Sequence, residues 1–102
     1  MELTIQSINF SADQKLLDYI GKKVQKLSTY YDGIVDSLVY LKVENDARNN
    51  NKILEVKLNV QSQSLFCRER CRTFECAIDL AFESLKVKLR KYKEKSLSAQ
   101  NF

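Results

Sequence analysis

The 102-residue sequence predicts a single α+β domain of order β-α-β-β-β-α, a four-stranded and mainly antiparallel sheet with two helices packed side by side on one face. Three observations carry this expectation. Two stretches, 16–31 and 74–92, hold apolar residues at three- and four-residue steps, the period of one helical face. Three short stretches between 37 and 70 are rich in β-formers, and two of them alternate inward and outward residues. Proline is absent and glycine occurs twice, so no linker or second domain is marked.

Leu3 to Phe10 reads as the first strand, with Leu3 and Ile5 on one face, Ile8 and Phe10 on the other, and a change of register near Ser7. Ser11, with Gln14 three residues on as capping-box partner, is favoured over Asp13 as the N-cap of the first helix. That helix runs to about Tyr30 on a stripe of Leu16, Leu17, Ile20, Val24, Leu27 and Tyr31. Tyr30-Tyr31-Asp32-Gly33 ends it, with Gly33 as the stop. Ser37 to Glu44 is the second strand, where Val39, Leu41 and Val43 alternate with Leu38, Tyr40, Lys42 and Glu44. Asn45 to Asn51 is a polar turn whose asparagines tolerate left-handed backbone. Ile53 to Val60 is the third strand, with Leu54, Val56, Leu58 and Val60 facing inward. Gln61 to Ser64 turns the chain into a fourth strand, Leu65 to about Arg70. Thr73 caps the second helix, and Glu75 in its first turn suits the helix dipole. The domain is expected to span 1–95, with 96–102 a short frayed tail.

The second helix organises the chain. Phe74, Ile78, Ala81, Phe82, Leu85, Leu89 and Tyr92 form its buried stripe, while Lys86, Lys88, Arg90, Lys91, Lys93 and Lys95 crowd its second half against one acid, Glu94. This segment carries +5 of the net +4, so the remainder sums to −1 and the basicity is local. Cations near a helix C-terminus complement its dipole, but that does not require six in ten residues. Like charges at Lys86–Arg90, Lys88–Lys91 and Lys91–Lys95 repel by a few tenths of a kcal/mol per pair. A polyanionic partner offsets that cost. Lys22, Lys23 and Lys26 on the first helix would extend the cationic surface, which suits the phosphate backbone of folded RNA.

Other chemistry is sparse. The chain has no histidine, which removes the commonest general base and metal ligand. Gly21 and Gly33 stand alone, so no phosphate loop is present. The carboxylates show no converging pair, and nothing supports an enzyme or a cofactor. Cys67, Cys71 and Cys76 (C-x3-C-x4-C) lack the fourth ligand of a zinc site and read as strand, turn and helix cysteines. Arg70 and Arg72 flank Cys71 and raise the alternative of a reactive thiol of lowered pKa. Arg68 and Arg70 share one face; an exposed sheet face and an extension of the basic surface are both open readings. Tyr19 and Tyr30 sit among lysines, as base-stacking platforms or, more in keeping with amphipathic tyrosines, at the core edge; Tyr92 falls in the core. MELTIQ has neither the basic start nor the apolar stretch of a leader, and no apolar run approaches the ~20 residues of a membrane span. With an odd number of cysteines, this predicts a cytoplasmic protein with free thiols and no membrane or small-molecule partner.

Leu16 to Ile34, Val39 to Glu44 and Ala77 to Lys95 together resemble the ribosome hibernation promoting factor family, also called ribosome-associated translation inhibitors. The family pattern K-x-x-K-L-x-x-Y-x-D-x-I is met by Lys23, Lys26, Leu27, Tyr30, Asp32 and Ile34; its A-I-D by Ala77, Ile78 and Asp79; its L-x-K-x-K-x-K by Leu89, Lys91, Lys93 and Lys95. The ordered set, more than any one motif, is specific. The resemblance implies a fold like a double-stranded-RNA-binding domain. It also implies binding to 16S-type rRNA and neighbouring proteins of the small ribosomal subunit, in the messenger and transfer RNA channel, with translation inhibited in stationary phase or starvation. Lys23, Lys26, Lys91, Lys93 and Lys95 are the rRNA contacts the resemblance carries over; Lys22, Lys86, Lys88 and Arg90 come from charge alone. Val87 replaces a residue often basic in the family, and Thr73-Phe74-Glu75-Cys76 departs from an aspartate and tyrosine common there. The chain reads as a short form without the second, ribosome-pairing domain of long members, and as a monomer off the ribosome. Two alternatives remain at this level: a protein-interaction module modulating a sigma factor, and a generic double-stranded-RNA binder.

Overall fold

A computed structural model describes residues 1–45 and 47–100, the last five of these by their backbone alone. Its elements are β1 (Glu2–Ile8), α1 (Gln14–Lys26) running into a 3-10 turn (Leu27–Thr29), β2 (Asp36–Val43), β3 (Lys52–Asn59), β4 (Ser64–Cys71) and α2 (Phe74–Gln100). The strands lie in the sheet in chain order, β1-β2-β3-β4. β2, β3 and β4 form the antiparallel meander, whereas β1 runs parallel to β2, which requires the long crossover that α1 provides. Both helices cover one face, the two-layer arrangement the sequence predicts.

Alternation sorts the strands as expected. Val39, Leu41, Leu54, Val56, Leu58, Leu65 and Cys67 point into the core. Ile20 and Val24 meet them from α1, Leu27 from the 3-10 turn, and Phe74, Ile78, Ala81, Leu85, Leu89 and Tyr92 from α2. Ala77 and Ala81 are fully buried, and their small side chains let α2 lie close to the sheet. Ile53 is also fully buried although it faces the other side of the sheet. There it stands in register between Lys42 and Arg70, whose aliphatic stems can cover it.

Three local expectations are corrected. β1 stops at Ile8 because Asn9 adopts a left-handed backbone (φ 64°), which turns the chain out of the sheet. Phe10 therefore leaves the strand and stacks on Phe74, ring centroids 5.4 Å apart. The N-cap of α1 is Asp13, not Ser11: its carboxylate accepts from the Leu16 backbone N–H at 2.8 Å. We expect Asp13→Ala to cost about 1 kcal/mol in urea denaturation and Ser11→Ala to change nothing measurable. Gly33 does not stop the helix through a positive φ. A Cβ there would fall 2.5 Å from the Tyr31 ring, so glycine makes room for that ring to meet Tyr92 edge-on at 5.5 Å.

Other assignments hold. Asn49 takes the left-handed conformation expected in the 45–51 turn (φ 60°). Thr73 caps α2, its Oγ1 accepting from the Cys76 N–H at 3.1 Å. The expected frayed tail from Ser96 is also corrected: α2 continues five residues past Lys95, to Gln100, and 101–102 lie outside the described residues.

Candidate nucleic-acid interface

The packed stripe of α2 fixes where its cations point. Side chains recur every 3.6 residues, so Lys86, Arg90 and Lys93 lie on the flank beside α1 and Lys88, Lys91 and Lys95 on the flank beside β4. Observed contacts match this division. Lys86 Nζ stands 5.4 Å from the Tyr30 ring centroid at the end of the α1 segment. Lys88 Nζ instead donates to the Phe66 backbone carbonyl on β4.

Phe82 is the hinge of the cationic face between the helices. Lys23, Lys26 and Lys86 place their ammonium groups 5.2, 5.8 and 5.6 Å from its ring centroid. Attraction to the ring face offsets part of the repulsion among the three, by an amount of order 0.5–1 kcal/mol per exposed contact. Tyr30 meets the same ring edge-on at 6.1 Å. Two acids lie within this face. Asp79 pairs with Lys23 at 3.3 Å and accepts from the Tyr19 hydroxyl at 2.8 Å, while Glu83 pairs with Lys86 at 3.2 Å. Accepting that hydrogen bond, Asp79 raises the Tyr19 pKa above the usual tyrosine value. Exposed pairs of this kind contribute only about 0–1 kcal/mol, so both lysines remain available to a phosphate.

The nine candidate cations thus do not form one continuous patch. Lys23, Lys26, Lys86, Arg90 and Lys93 converge at the junction of the helices. Lys88, Lys91 and Lys95 form a second line along the opposite flank of α2. Lys22 is exposed and lines a shallow groove with Leu3, Ile5 and Gly21 towards β1, away from α2. Period alone separates the two flanks of α2; which flank meets α1 requires the packing.

Arg68 and Arg70 do not extend this surface. They lie on the sheet face turned away from the helices, where Glu55 joins Lys42 and Arg68 (3.1 and 3.8 Å) and Glu44 pairs with Arg70 at 2.9 Å. Tyr19 is tied to Asp79 and half-buried, whereas Tyr30 is exposed within the cationic junction. Tyr92 is buried and shares a hydrogen bond with Ser62 at 3.2 Å.

The alternative of a reactive Cys71 of lowered pKa is not supported. Burial, then the hydrogen bond with Cys76, pushes the Cys71 thiol up to about 11, and the flanking arginines do not reverse this. Burial raises Cys67 as well, while Cys76 is exposed. At pH 8 a thiol reagent is expected to label Cys76 first: Cys76→Ser should remove the fast phase and Cys71→Ser should leave it unchanged. Among the described residues no three His, Cys, Asp or Glu side chains are grouped to hold a metal, and no helix is long and apolar enough to cross a membrane.

Comparison with known proteins adds a consistent set of relatives. A family model described as Sigma 54 modulation protein / S30EA ribosomal protein matches residues 3–96. A ribosome hibernation promotion factor of Picosynechococcus sp. is 30% identical over 98 residues, which cover 94% of this chain and 51% of that protein. Another, from Deinococcus radiodurans, is 34% identical over 87 residues, covering 83% and 45% respectively. The chain thus spans about half the length of the curated relatives it matches. Among solved structures, the N-terminal domain of Thermus thermophilus Protein Y superposes with a TM-score of 0.77 at 20% identity, covering 90% of this chain and 99% of that one. A ribosomal subunit interface protein from Coxiella burnetii superposes with a TM-score of 0.82 at 16% identity, covering 92% and 99%. At these identities the two structures speak to the fold.

Proposed function

We propose, from the premise that this chain belongs to the Sigma 54 modulation protein / S30EA ribosomal protein family, that it is a ribosome hibernation factor. On this reading residues 1–95 bind the small ribosomal subunit in the channel for messenger and transfer RNA, and translation stops in stationary phase or starvation. The observation that carries the reading is the junction of α1 and α2, where Lys23, Lys26 and Lys86 gather around Phe82 and Arg90 and Lys93 continue the line. Cations held on packed helices need little ordering when they meet a rigid array of phosphates, and their spacing selects a folded RNA by shape. Inhibition is then steric: the domain occupies space that messenger and transfer RNA need, and no bond is made or broken. Lys88, Lys91 and Lys95, on the other flank of α2, and Lys22 would meet neighbouring rRNA or ribosomal proteins. The partner sets the location, the cytoplasm, and repulsion between cationic faces keeps free copies apart as monomers.

The test is co-sedimentation with separated subunits and whole ribosomes across a salt series. Binding to the small subunit, falling steeply with salt and displaced by messenger and initiator transfer RNA, is the expected result. Binding that salt barely alters would point to a protein interface such as a sigma factor, and equal binding to any A-form duplex would point to a generic RNA binder.

A further inference from the structure

A small hollow opens within the cationic junction, beside Lys86. Its volume is about 240 Å³, and it is lined by Tyr30, Lys86, Val87, Arg90 and Lys93. Its floor is apolar and open: Tyr30 is 41% and Val87 39% exposed, although each lies among lysines and arginines. Its rim is cationic on every side that a charged residue lines. No acid is among the lining residues; Glu83, four residues before Val87, pairs with Lys86, and Glu94 follows Lys93 in the chain.

A duplex backbone gives no use to such a floor. The bases of an A-form helix are stacked inside it, and convex cations alone would serve its phosphates. An apolar planar floor under three cations instead matches a ligand that is planar and apolar at one end and anionic at the other. The hollow is smaller than the ~300–1,000 Å³ of small-molecule pockets, so one ring system fits its floor while its charge stays at the rim. Tyr30 can stack because its ring is fixed: Phe82 meets it edge-on, and Lys86 stands over it.

We propose that this hollow captures one unpaired, unstacked nucleotide of the ribosomal RNA. The base lies against Tyr30 and Val87, and the flanking phosphates bind Lys86, Arg90 and Lys93. The inference rests on the reading of the partner as ribosomal RNA and adds a base-recognition site to a surface otherwise governed by charge. Tyr30 is then a contact residue whose contribution is independent of salt.

The test measures affinity for purified small subunits over a salt series, together with chemical probing of rRNA nucleotides. Tyr30→Ala should weaken binding roughly five- to hundredfold, the range for one lost base–aromatic stack, with the salt slope unchanged. Tyr30→Leu, which keeps apolar bulk against Phe82, should lose nearly as much, whereas Tyr30→Phe and Tyr30→Trp should bind like the parent. One unpaired nucleotide should be protected by the parent and exposed again by Tyr30→Ala. If Tyr30→Ala and Tyr30→Leu bind like the parent while reversal of Arg90 and Lys93 abolishes binding, the pocket proposal fails and the ribosome reading stands. Affinity lost with no nucleotide changing its reactivity would assign the hollow to a ribosomal protein and overturn the proposal. If the parent itself does not bind small subunits, both readings fall.

Discussion

Reversing charge at Arg90 and Lys93 should abolish co-sedimentation with ribosomes and leave the fold intact. Both residues are exposed and line the junction of the helices, so neither supports the core. A hydrogen bond to a charged group contributes about 1.5–3 kcal/mol. Losing two such contacts weakens binding by a hundredfold or more, and placing acids opposite phosphates adds repulsion. The plot of log affinity against log salt should flatten by about two units, one for each phosphate contact removed. Circular dichroism and thermal unfolding of the Arg90→Glu/Lys93→Glu variant should match the parent. Retained binding in a folded variant would count against the α1–α2 junction as the interface. Lys91 makes a useful contrast because it lies on the opposite flank of α2. Its reversal should cost less than that of Lys93 if the junction carries most of the affinity.

Leu85→Ala should give a large loss of stability, about 2–5 kcal/mol. Leu85 is fully buried at the centre of the helix stripe and packs over the inner face of the sheet. α2 lies over β3 and β4, and Val56 of β3 belongs to the same core cluster, where its β-branched side chain has little freedom to move into the space left behind. The cost is a large share of the ~5–15 kcal/mol that keeps a small domain folded. At about 4–8 °C per kcal/mol for a domain of this size, the melting temperature should fall by about 8–40 °C. Val87→Ala, only two residues on but exposed, should stay within about 0.5 kcal/mol of the parent. Equal losses for the two variants in thermal or urea denaturation would refute the packing of α2 described above.

Much of the fold was legible because two periods do not overlap. A repeat near 3.6 marked 16–31 and 74–92, and a repeat of two marked Val39–Val43 and Leu54–Val60, so element order followed directly. What stayed hidden depended on single backbone angles or on contacts across the chain. Ser11 and Asp13 are equally good caps by type, and the structure places the cap at Asp13. Arg70 and Arg72 suggested a lowered thiol pKa at Cys71, but burial has the larger effect, and burial is not local in sequence. Lysine richness exposed the cationic character of α2 without revealing that Lys88 reaches the edge of β4 or that Lys22 faces away. Tyr30 was weighed as a stacking residue, yet the hollow beside it depends on Val87 and Arg90, more than fifty residues further along.

The order of the strands bears on how the chain reaches its fold during synthesis. β1 leaves the ribosome before the other three strands but pairs only with β2, and the meander that follows still exposes its inner face until α2 is laid across it. Since this last element closes the core and also carries Lys86, Arg90 and Lys93, the two properties mature together. A nascent chain short of α2 has neither a closed core nor three of the five cations of the junction. If the proposed function holds, translation therefore does not yield a partly built ribosome-binding surface.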